Sequence, residues 1–514
     1  MGGGTGVNVG QVLLVATVAL PAVGALLVAA VPGRNDRTGR IVGTVFAALA
    51  FLVSLPLYGN RAEGWVSYGP VSAGPPPVLP WHEVDLTWVP GLDLRFHLGV
   101  DGISYPLVVL TTLLTLLCCA YTLWHVPDPG RGRSLVALLL VIEVGILGTF
   151  LALDLILFFL FFEVVLLPMY AVIAGWGGER RRHAAGKFAL YTLFGSVLLL
   201  VGVFVVVTAA GTADIVELTG GSELTRTTQL VAFTLFALAF AVKSPLWPLH
   251  SWLPDAHTQA PTVGSVILAG VLLKMGTYGL IRVAVGVTPE GARWAAGVLG
   301  VLAVAAIIVG SLVCLAQVEL KRLIAYSSVG HMGFVLLGIA TLTATGLEAA
   351  LIGNIAHGVI TGLLFFLAGA VKDRAHTGAL ADLGGLRETA PRLAGLLAFA
   401  AIASLGLPGL AGFWGEAFAV VAALKVGGPL WTTLGVLAAV GGALTAAYLL
   451  RLLRRVTQGR PAPAVTRLTP GLAGTELAAW GPLVLLALAI GLVPGLVLGI
   501  AGDPVQALVE AVVR

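Results

Sequence analysis

Apolar residues in this chain do not alternate with polar ones. They form continuous Gly/Ala/Leu/Val-rich runs that recur from end to end, each about the 20 residues that an α-helix needs to cross a hydrocarbon core. Backbone groups unpaired in lipid are costly, so only helices or closed barrels span a bilayer. Runs without alternation select the helical bundle. The pattern predicts fourteen spans, centred near residues 21, 49, 113, 144, 165, 198, 240, 274, 304, 332, 359, 408, 441 and 488. Spans one to three fall within 1–125 and are interrupted by a long Pro/Gly/Trp-rich segment at 59–100. Its Trp65, Trp81 and Trp88 predict ordered packing against the outer surface.

Charge then fixes the topology. With the N-terminus outside, the loops holding Arg34/Arg37/Arg40, Arg131/Arg133, Arg180–Arg182/Lys187, Lys321/Arg322, Lys372/Arg374/Arg387/Arg392 and Arg451/Arg454/Arg455/Arg460/Arg467 fall on one side. The other side receives Arg61, Arg95, Arg226, Arg282, Arg293, Lys425 and Arg514. The richer side is expected to be cytoplasmic, with both termini outside. The start MGGGTGVNVG lacks the basic region of a signal peptide, so the first span is expected to stay uncleaved. Because the basic residues mark topology, the net charge of +4 does not call for a nucleic-acid partner.

Two basic residues, Lys243 and Lys274, remain inside spans. A charge at mid-bilayer costs about 2.5–3.5 kcal/mol on insertion scales, so every intramembrane ionisable group is a candidate site. They are Glu143, Glu163, Lys243, Lys274, His331, His357 and Glu416. Most lie near the middle of their spans, which predicts a row at one depth, parallel to the membrane plane. Each has a plainer alternative. Glu163 with Lys243 fits a static ion pair, the histidines fit satisfied core groups, and Glu143 fits a residue facing a neighbouring helix. A structural scaffold whose charges only fix helix register therefore stays open as a different class of function.

Helix breakers sharpen the pattern. Span seven carries Pro245 and Pro248 directly after Lys243. Span twelve carries Gly406, Pro408, Gly409 and Gly412 before Glu416. Paired discontinuous helices are a feature of transporters built from repeats. The breaks lie five spans apart, which predicts two inverted five-helix units, spans 4–8 (135–285) and 9–13 (295–455), followed by span 14 and a tail (456–514). In HSWLPDAH, His250, Asp255 and His257 fit either a proton uptake route or a satisfied loop network. Cys118, Cys119 and Cys314 lie in apolar runs without metal-ligand spacing, and no nucleotide-binding glycine motif occurs.

Four stretches resemble one family: FFEVVLLPMYAVIAGWG, AVKSPLWPLHSWLPDAHTQAPTVGSVILAGVLLKMGTYGL, KRLIAYSSVGHMGFV and IAHGVITGLLFFLAG. They are similar to the antiporter-like membrane subunits of respiratory complex I and to Mrp-type cation/proton antiporter subunits, over about residues 95–455. Glu416 in GFWGEAF stands where most of that superfamily carries lysine, and with DRAHTGALADLGGL it resembles the M-type branch. The resemblance implies that Glu163, Lys243, Lys274, His331 or His357, and Glu416 carry protons. Glu143 matches a position acidic in only some members. It also implies sister chains L and N as neighbours, with FMN, Fe–S clusters and quinone in partner subunits and no cofactor in this chain. An Arg-rich, Lys-poor composition points to a bacterial plasma membrane. A Mrp-type sodium/proton antiporter subunit is the alternative from the same resemblance.

Overall fold

The computed structural model describes residues 8–58, 80–89, 94–466 and 471–513. Among these, 13 helices are long and apolar enough to cross a membrane. Every expected centre falls in one of them except those near 240 and 408. These two fall on interrupted helices, Arg226–Lys243 followed by Trp252–Gln259, and Pro391–Ser404 followed by Ala411–Val426. Proline and glycine explain both interruptions. Pro245 and Pro248 offer no N–H to continue the first, and the Val242 carbonyl accepts from the indole Nε1 of buried Trp252 at 3.0 Å. In the second, Gly406 (φ +79°) and Gly409 (φ +90°) adopt the left-handed conformation that glycine takes without strain.

The remaining long helix was not among the expected spans. Gly495–Val513 buries Val497, Ala501, Val505, Leu508 and Val512, a stripe with helical spacing. It touches one end of several spans: its Ile500 carbonyl lies against Gly102, Leu508 against Gly286 and Ala511 against Gly220. Arg293 Nη1 donates to the Val512 carbonyl at 2.6 Å. This helix therefore lies across that face of the bundle.

The 59–100 segment adds a β-element to an otherwise helical fold. Strands β1 (His82–Val89) and β2 (Leu94–Val100) form an antiparallel hairpin. Trp81 stacks edge-on to Tyr58 at 5.5 Å, as its interfacial reading expects, whereas the Trp88 side chain is 57% exposed. Trp65 lies outside the described residues. The hairpin docks through His97, whose Nδ1 is 2.9 Å from Asp214 Oδ2, and through Arg95, which pairs with Asp85 and Asp214.

Two residues assigned to loops are buried instead. Lys321 opens the helix Leu320–Ala340 and donates to the Ala260 carbonyl at 3.3 Å. Arg282 closes span eight in a buried pair with Asp101. Their long stems reach inward from the helix ends, which a count of charges by sequence position does not register.

Candidate functional site

Span eight, Thr262–Val285, is buried throughout. Two π-helical turns, Leu268–Leu272 and Leu280–Val285, flank a short α-helical piece, Leu273–Gly279, that carries Lys274. π-Turns shift carbonyls off the i→i−4 ladder and recur at functional sites. Here the Lys274 ammonium donates to the Ala269 carbonyl, five residues back, at 2.6 Å. Its Nζ is also 2.6 Å from His357 Nδ1 on the helix Ala344–Ala375.

The row continues from His357. Its ring stands 5.8 Å from that of His331, edge to face. His331 Nδ1 is 2.8 Å from Glu416 Oε1, and His331 Nε2 is 3.0 Å from Ser404 Oγ. Spans eight, eleven, ten and twelve thus supply Lys274, His357, His331 and Glu416 in that spatial order. A cavity of about 30 Å³ lies among His331, His357, Ser404 and Glu416, which is room for a water molecule. His357 Nε2 is buried without a hydrogen-bond partner among the described residues. The broken helix shapes the far end, where Gly406 comes close to Glu416 Oε2.

The near end is open. Lys243 is 1% exposed, its Nζ has no hydrogen-bond partner among the described residues, and it lies 4.6 Å from the centre of the Phe162 ring. Glu163, the next residue after Phe162, has its Oε2 buried and likewise unpartnered. No ion pair within 4 Å joins Glu163 and Lys243 among the described residues. Glu143 is fully buried with both carboxyl oxygens unpartnered. A fixed register-setting pair would be closed and hydrogen-bonded, because a buried charge left alone is expensive.

In HSWLPDAH the three singled-out residues separate. Asp255 is held by Lys187 at 2.7 Å and approached by Arg322 at 3.9 Å, a satisfied ionic network at the helix ends. His257 is buried, stacked 4.4 Å from Phe365, with both ring nitrogens unpartnered. His250 Nδ1 is also buried without a partner.

Sequence reasoning missed Ser404, the π-turns of span eight, and Asn354, which accepts from Thr277 Oγ1 at 3.0 Å one turn before His357. Neutral polar residues carry no insertion cost large enough to draw attention. The glycines flanking Lys274 (Gly270, Gly276, Gly279) were the available signal for irregular packing there.

The NADH:quinone oxidoreductase/Mrp antiporter transmembrane family model matches residues 152–442. Subunit M of NADH-quinone oxidoreductase from Rhodobacter capsulatus is 41% identical over 487 residues, 92% of this chain and 91% of the relative. The Rickettsia prowazekii subunit M is 40% identical, covering 80% and 83%. A chain of respiratory complex I from Thermus thermophilus superposes with a TM-score of 0.84 at 31% identity, over 97% of this chain and 99% of that one. A chain of the Mrp complex from Dietzia gives a TM-score of 0.83 at 24% identity, over 99% and 100%, a likeness of fold. Family model, relatives and architecture agree: the chain belongs to the NADH:quinone oxidoreductase/Mrp antiporter transmembrane family.

Proposed function

We propose that this chain is a proton-translocating membrane subunit of an NADH–quinone oxidoreductase, driven by quinone reduction elsewhere in the complex. The observation that carries the reading is the buried series from Lys274 through His357 and His331 to Glu416, with contacts of 2.6 and 2.8 Å at its ends. Such a series supplies alternating donors and acceptors, and histidine changes protonation state near neutral pH. A scaffold has no need of four titratable groups in sequence.

Closing Glu163 onto Lys243 stabilises the ammonium. Separating them leaves a desolvated charge that gives up its proton toward Lys274. The proton then passes through His357 and His331 to Glu416 and leaves toward the outer side. Moving one charge against 100 mV requires about 2.3 kcal/mol, comparable to the cost of holding one unpaired charge at mid-bilayer. His257 fits an uptake route from the inner side, and Glu143 stands as a further buried acid whose role in the row is unassigned. The two broken helices support the reading of two inverted five-helix units. Partners on this account are the other membrane subunits, including sister chains L and N, in a bacterial plasma membrane with both termini outside. FMN, Fe–S clusters and quinone belong to partner subunits.

The test uses the complex reconstituted in vesicles. Lys243→Ala and Glu163→Gln are each expected to lower proton pumping by about tenfold or more, the scale of a lost proton-transfer group. Full pumping at unchanged electron transfer in both variants contradicts the proposal.

A further inference from the structure

Lys243 and Lys274 stand on consecutive spans, and what joins them is the open question in the row. Most buried hydroxyls in this chain bond back to their own helix, as Thr111 does to Leu107, Thr149 to Gly145 and Thr192 to Phe188, at 2.7–2.8 Å. This is the usual fate of Ser and Thr in membrane helices. Ser244 is different. It caps the helix that ends at Lys243, and its own N–H donates to the Phe240 carbonyl at 2.7 Å. Its side chain is fully buried, and Oγ has no hydrogen-bond partner among the described residues.

The hydroxyl is aimed at span eight. A Cβ at Gly276 would fall 2.3 Å from Ser244 Oγ and 2.9 Å from the Phe240 carbonyl. The missing side chain at 276 therefore lets the two helices meet at this oxygen. Gly276 is two residues beyond Lys274, and Ser244 directly follows Lys243. Ser196 and Ser311 are also buried without partners, but neither lies on the two spans that carry the lysines. Pro245 follows Ser244 and has no N–H that could occupy the hydroxyl oxygen.

We propose that the Ser244 hydroxyl relays the proton between Lys243 and Lys274, an inference that rests on the reading of these lysines as members of a proton path. A hydroxyl holds one donor and two lone pairs. It accepts a proton from the Lys243 ammonium, directly or through one water, as an N–H bond breaks and an O–H bond forms. Its original O–H bond breaks in turn and that proton reaches the neutral Lys274 amine. Serine ends as it began, with no oxidation or reduction. The gap at Gly276 keeps span eight close enough for this passage.

The experiment compares Ser244→Ala, Ser244→Thr and Lys243→Ala in the complex reconstituted in vesicles, with subunit content measured for each. The relay predicts that Ser244→Ala slows pumping about tenfold or more at normal assembly, and that Ser244→Thr restores most of it. Equal loss in the Ala and Thr variants assigns Ser244 to helix contact and overturns the relay. Full pumping in Ser244→Ala beside a Lys243→Ala defect overturns the relay while the proton path stands. Full pumping in Lys243→Ala defeats the underlying reading itself.

Discussion

At the scale of single residues, the chain places charge where solvation is poorest and then withholds the obvious partner. Lys243 faces the Phe162 ring instead of a carboxylate, and Glu143 has both oxygens unpartnered. Outside the membrane the opposite holds. Burial pulls the His97 imidazole down, but its hydrogen bond to Asp214 and the charges of Asp214, Asp85 and Glu83 outweigh this and raise it above 6.5. Burial also works against the Asp214 carboxylate, yet His97 and backbone N–H donors hold it below 3.8. Burial pushes the neighbouring Asp154 up to about 6. The His97 contribution to hairpin docking is present below 6.5 and is lost as pH rises through the raised value. Asp214 contributes above 3.8 and loses this as pH falls through its lowered value. Asp154 weakens docking as pH rises from 3.8 toward 6, in the same direction as His97. Thermal unfolding should therefore show stability falling as pH rises past 6.5, with most of that dependence absent in His97→Ala. An unchanged pH dependence in that variant contradicts the assignment.

At the scale of elements, irregular helices carry the site. Span seven ends beside Lys243, span twelve breaks before Glu416, and span eight widens into π-turns on both sides of Lys274. Small residues let these pieces approach, as is usual where helices meet in membranes. A Cβ at Gly415 would fall 2.5 Å from Gly353 Cα, whereas one at Gly442 would meet nothing within 4 Å. Gly415→Ala should thus destabilise by about 1–3 kcal/mol, as overpacked interiors do, and slow pumping by moving Glu416 away from His331. Gly442→Ala should do neither, and the melting temperatures of the two variants decide the point. The hairpin shows where the sequence signal was present but overlooked. Val84, Leu86 and Trp88 alternate with Glu83, Asp85 and Thr87, as Leu94, Phe96 and Leu98 do with Arg95 and His97, the period of a strand. Proline and glycine upstream obscured it. The surface helix Gly495–Val513 was likewise legible, from the polar spacing of Asp503, Gln506 and Glu510.

At the scale of the whole molecule, the chain is a membrane bundle wrapped around a buried line of titratable groups. The membership of that line was legible, because each charge in an apolar run stands out by its insertion cost. Its order was not. Lys274 and His357 are 83 residues apart in sequence, and His331 and Glu416 are 85 apart, so only the packing of spans eight, ten, eleven and twelve puts them in series. Sequence left the two histidines as alternatives, and the fold uses both. The central claim is that protons pass along this series, and removal of its middle member tests it most directly. The measurement is the number of protons moved per electron by the reconstituted complex carrying His357→Ala. The account predicts a lower ratio, or pumping and electron transfer slowed together by about tenfold or more, at normal subunit content. An unchanged ratio at an unchanged rate would contradict it.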